Sequence, residues 1–188
     1  MDETTASAVR RAELPISLVA AVGLLAGSII FLWYAPTSYE IYKALHVGLS
    51  VIWVGGGVLL TILALLAERT DDPERLMAVG RQAEFAGARI FTPASLAVFA
   101  FGVAMIEKGN LNWGDFWLVF AIVGWGISAA TGIFFLAPRV KKLNELAATH
   151  GVEHPETQRR LKTVLGVARL DVALLLLIVV DMTAKPFL

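Results

Sequence analysis

Five apolar runs dominate the chain, at residues 15–34, 41–67, 88–106, 113–137 and 163–183. Each is long enough to cross a bilayer, which takes about 20 helical residues. Inside hydrocarbon every backbone N–H and C=O must be satisfied within its own segment, so such runs fold as helices. With 57% hydrophobic and 17% charged residues, little is left between them for a water-soluble domain. The expectation is an all-α membrane protein with five transmembrane helices. It would be a single integral membrane domain over residues 1–188, with spans 2–5 forming an antiparallel four-helix bundle. The first run is longer than the ~7–15 apolar residues of a signal peptide, and no small-x-small cleavage site follows "FLWYAPTSY". It is expected to remain as a helix.

The formal net charge is zero, but the charges are unevenly laid. Arg10 and Arg11 precede the first run. Arg69, Arg75, Arg81 and Arg89 lie between runs two and three. Arg139, Lys141, Lys142, Arg159, Arg160 and Lys162 lie between runs four and five. Lys43, Lys108 and Lys185 are the cations of the other side. The positive-inside rule then predicts a cytoplasmic N-terminus and an external C-terminus. Trp33, Tyr34, Tyr39, Tyr42, Trp113 and Trp117 are expected as an aromatic belt at the outer face. No aromatics interleave the basic residues as single-strand binding would want, so the expected partner is the lipid bilayer and not a nucleic acid. A homodimer or a larger membrane complex is also compatible with the pattern.

The two basic connections read as helical. Asp72 is an expected N-cap with Pro73 in the first turn, ahead of a helix that bends at Pro93. The fourth helix should extend past the membrane, stop at Gly151 and restart at Pro155.

Polar residues inside the apolar runs are the candidates for function, because lipid penalises them. In "YKALHVGLSVIWVGGG", Lys43, His46, Ser50, Trp53 and Gly57 recur at spacings of three and four and share one helix face. His46 falls about 7 Å from the outer end of its span at ~1.5 Å per residue. Gly55, Gly56 and Gly57 remove side-chain bulk, which suits close helix packing or a flat ligand. In the last span, Arg169 and Asp171 are two apart and point to different faces, so each should seek a partner elsewhere. Asp181 falls at about the depth of Lys43 and His46, and a charge pairing with one of them is expected. His150 and His154 have a metal-like spacing, but Gly151 and Pro155 interrupt the helix. The chain has no cysteine, which excludes thiolate metal sites and thiol redox chemistry. Phosphate-binding loops, nucleophile elbows and zinc-protease helices are absent from the sequence.

Four stretches together resemble a known group: "YKALHVGLSVIWVGGG", "RQAEFAGARIFTPASLAVFAFGVAM", "FWLVFAIVGWGISAATGIFFLAPRVKKL" and "ARLDVALLLLIVVDMTAKPF". They resemble the HemJ-type membrane protoporphyrinogen oxidases and the related copper-resistance D (CopD-like) proteins. They resemble still more a bacterial family of predicted integral membrane proteins of unknown function. The resemblance implies haem b as cofactor, with His46 as axial ligand to the iron, and carries over Lys43, Trp53 and Pro93 as pattern positions. The chain departs from the HemJ pattern where "FWLVFAIVGW" lacks a lysine and "SAATGIFF" lacks a histidine. Three readings follow. The first is a haem-b-binding redox or porphyrin-handling protein. The second is a non-enzymatic subunit or assembly factor, and the third is a copper or small-solute transporter using His46, Arg169 and Asp181.

Overall fold

A computed structural model describes residues 38–70 and 72–185. The first apolar run, with Trp33 and Tyr34, lies outside the described residues. The chain divides into two compact units, Met1–Ile41 and Tyr42–Leu188. Apart from its first four residues, the helical structure below belongs to the second unit.

The described residues contain helices and turns, and no strand. α1 covers Ser38–Arg69, α2 Pro73–Ala86, α3 Thr92–Lys108, α4 Phe116–Ala130, α5 Ala137–His150 and α6 Pro155–Ala184. Two π-helical turns, Gly87–Phe91 and Thr131–Leu136, join α2 to α3 and α4 to α5 without a break. Four continuous helices result, Ser38–Arg69, Pro73–Lys108, Phe116–His150 and Pro155–Ala184, each long and apolar enough to span a bilayer. Between 11% and 22% of each most apolar window is buried inside the protein. Val51, Leu59, Phe134, Leu170, Leu177 and Val180 therefore point outward. That much exposed apolar surface suits a lipid environment.

Local chemistry places the helix ends. Asp72 accepts a hydrogen bond from the Arg75 amide at 2.9 Å and caps α2, with Pro73 in the first turn. Gly151 ends α5 at φ 84, a value that suits glycine. The His154 imidazole accepts from the Glu156 amide at 3.3 Å at the start of α6. That ring is an N-cap, with its centroid 5.3 Å from that of His150.

Both π-turns end two residues before a proline, Pro93 or Pro138. Proline offers no N–H and crowds the carbonyl one turn back, so the ladder slackens to wider bonds. The Gly87 carbonyl accepts the Thr92 amide and also, at 2.8 Å, the Thr92 hydroxyl. The bend expected at Pro93 is thus expressed as a π-turn within a continuous helix.

α4 packs along α6, α2 against α5, α5 against α6 and α3 against α4. One core cluster joins Val140, Leu143, Leu161 and Val164, at the end rich in basic residues. A second joins Ile106, Trp117 and Leu118, with Met182 against it. Trp117 corrects the belt expected from sequence: it is 3% exposed and belongs to the core, with the Lys185 ammonium 4.8 Å from its ring centroid. Trp113 is exposed, and its indole N–H donates to the Glu107 carboxylate at 3.2 Å.

Candidate functional site

The polar face of α1 leads to two separate places. At the first, His46 is half-buried, and its Nδ1 lies 2.8 Å from the Val98 carbonyl oxygen on α3. A carbonyl accepts only, so Nδ1 carries a proton, and in the neutral ring Nε2 is the nitrogen with the lone pair. Gly102 makes room for the ring, since a Cβ there would sit 3.2 Å from Cε1 and 3.3 Å from Nδ1. Ser50 donates to the His46 carbonyl at 2.7 Å, a bond back along the helix. Lys43, one turn away, is exposed. Tyr42 stacks on Phe101 with centroids 6.2 Å apart and ties the same turn of α1 to α3.

The second place is a cavity of about 490 Å³ between the four long helices. Trp53 and Gly57 of α1 line it; His46 does not. Residues of both π-turns form part of its wall, including Phe91 and Ile133. Most of the wall is apolar. The charged lining groups are Glu84, Lys141, Arg169 and Asp171.

Each charged residue expected to need a partner can now be placed. Arg169 of α6 forms an ion pair with Glu68 of α1. Its Nε remains buried without a partner. Arg169 and Asp171 do not pair with each other, in keeping with their spacing. The Asp171 Oδ1 is buried and unpartnered. Ser128 of α4 stands beside this carboxylate. The Ser128 hydroxyl is buried and lacks the geometry of a hydrogen bond to any group. Asp181 is buried at the far end of α6, and its Oδ2 also has no partner. No ion pair forms between Asp181 and Lys43 or His46: the His46 Nδ1 is taken by α3, and the Lys43 side chain faces outward. Glu84 accepts from the Asn144 amide at 2.5 Å and couples α2 to α5.

Breaking the Glu68–Arg169 pair has a measurable consequence. Both side chains are about one-third exposed, 33% and 38%, at the boundary of their spans. A double-mutant cycle with Glu68→Gln and Arg169→Gln should return a coupling of about 1 kcal/mol, between the values of exposed and buried pairs. Reversible unfolding in mixed detergent reads it; a coupling of zero would make the contact incidental.

Glu68, Ser128 and Asn144 were not singled out by sequence reasoning. Ser128 had a weak signal, one of two hydroxyls in an apolar run, and such a hydroxyl is more often bonded to its own helix.

These features define a polytopic helical membrane protein with an intramembrane cavity and a backbone-oriented histidine. The chain belongs to the family described as predicted integral membrane protein (DUF2269), whose model matches residues 40–186. No curated protein and no solved structure matches it.

Proposed function

We propose that the protein binds haem b in the bacterial inner membrane, with His46 as an axial ligand. The observation that supports this reading is the bond from Nδ1–H to the Val98 carbonyl. A ligating imidazole must be neutral, with one nitrogen free and the other anchored. His46 meets that requirement, and Gly102 leaves the ring its space. The donor chemistry therefore fits a haem iron. Val98 holds the ring's rotation and tautomer, and the exposed Lys43 would offer a cation to an anionic substituent of the group. Trp53 is two turns away in the cavity wall and falls outside this set. When bound, haem b supplies one-electron iron chemistry, tuned by its axial ligand.

In this reading the arginine- and lysine-rich connections face the cytoplasm and residue 185 lies outside. The four long helices form an antiparallel bundle, preceded by a fifth span at residues 15–34. The copper alternative finds less support, because no three His, Asp or Glu side chains converge among the described residues.

The test is an absorption spectrum of the detergent-purified protein, oxidised and dithionite-reduced, with a pyridine haemochrome assay. The expected result is a Soret band with reduced α and β bands, abolished in His46→Ala and retained in Lys43→Ala. Protein that is colourless from haem-supplied cells, and takes up no haem afterwards, would sink the reading. So would an unchanged spectrum in His46→Ala.

A further inference from the structure

We propose that the cavity between the four long helices is a second site, which binds a hydrophobic organic cation against the Asp171 carboxylate. Three observations carry it, and none involves His46.

The first is the balance of charge. Among the cavity's charged groups, Arg169 is neutralised by Glu68, and Glu84 accepts from Asn144. Lys141 is exposed. Asp171 is left with a buried, unpartnered oxygen. A carboxylate in apolar surroundings calls for a counter-charge or a donor. The second is Ser128, 2% exposed, whose hydroxyl faces that carboxylate without the alignment of a full hydrogen bond and so leaves the charge uncompensated. A cation seated between them would meet the carboxylate charge and the lone pairs of the serine oxygen. The third is the shape and lining of the space. A volume of about 490 Å³ lies within the usual ~300–1,000 Å³ of small-molecule sites. Leu60, Val172 and Leu175 would cover an apolar body, and the Trp53 ring can face a cation. Residues of both π-turns line this space, and π-turns are frequent at functional sites. Gly87 and Gly132, at their starts, have nothing within 4 Å of where a Cβ would stand.

Other ligand classes fit less well. A bare metal ion would find a single carboxylate, since no cluster of three ligating side chains exists among the described residues. An anion would meet Asp171 unshielded, with the nearest guanidinium already paired.

The full-length protein in lipid nanodiscs is titrated with tetraphenylphosphonium by equilibrium dialysis, with empty nanodiscs as background. Saturable binding of one cation per chain is expected, with uncharged triphenylphosphine oxide binding at least about tenfold more weakly. Asp171→Asn should weaken the cation about tenfold or more. Ala168→Phe, which fills the cavity from α6, should do the same while leaving the carboxylate in the chain. Asp181→Asn should bind as the parent does. Binding no greater than to empty nanodiscs, equal binding of the uncharged probe, or unchanged affinity in Asp171→Asn would each overturn the proposal. If Asp171→Asn does not give monodisperse protein, Ala168→Phe decides: full affinity in that variant overturns the site, and its loss upholds it.

Discussion

Leu143→Ala should destabilise the protein by about 3–4 kcal/mol, while Leu177→Ala, the same chemical change, should cost less than about 1 kcal/mol. Leu143 is 2% exposed and packs with Val140, Leu161 and Val164 where α2, α5 and α6 meet. Its neighbours Lys141, Lys142 and Glu145 carry charge, so unfolding this end exposes the cluster to water, and the transfer term applies in full. Leu143 also lines the large cavity. Truncation would enlarge a space that is already there. The cost of a core truncation rises with the volume left unfilled, which puts this site towards the upper part of the usual range. Leu177 is 57% exposed on α6. Its side chain meets lipid in the folded state and, in a membrane unfolding reaction, lipid or detergent afterwards. No hydrophobic transfer separates the two states, and acyl chains refill the gap. Unfolding in mixed micelles, followed by tryptophan fluorescence, gives both values. Equal costs would mean that the boundary between lipid and water does not lie between these two leucines.

That boundary explains which parts of the structure were legible in the sequence. Hydropathy is local, so the four long helices follow from apolar runs, and Asp72, Gly151 and Pro155 mark ends that the structure keeps. The period of α1 also put Lys43, His46, Trp53 and Gly57 on one face. What occupies that face was not legible. The partner of His46 is a backbone carbonyl 52 positions away, and a carbonyl has no signature in a sequence. The partner of Arg169 is 101 positions away. Trp117 looks like a belt residue by composition, yet depth alone does not say whether a ring turns to lipid or to its neighbours. The cavity is the hardest case. It is a space left by small residues and two widened turns on four helices, so no single stretch of the chain encodes it.

The three consecutive glycines of α1 give the sharpest remaining prediction, because the structure separates them. A Cβ on Gly55 would meet nothing within 4 Å, and one on Gly57 would make an ordinary 3.4 Å contact with Val172. A Cβ on Gly56 would fall 2.5 Å from Cε1 and 2.8 Å from Cζ of Phe91. The aromatic ring is stiff and sits in the first π-turn, so it cannot yield by flexing a tip. Gly56→Leu must push the ring away from α1, and the open direction is the cavity that Phe91 already lines. The expected cost is about 1–3 kcal/mol, the usual penalty of overpacking. Tetraphenylphosphonium binding should weaken with it, because the displaced ring takes up cavity volume. Gly55→Ala should be neutral or stabilising by about 0.5–1 kcal/mol, since alanine loses less conformational freedom in a helix. Gly57→Ala should fall between. Three single variants, each read by unfolding and by cation binding, therefore test the packing of α1 on the π-turn residue by residue. A stabilising Gly56→Leu would show that Phe91 does not lie against α1, and equal effects at all three positions would return the motif to a generic small-residue stripe.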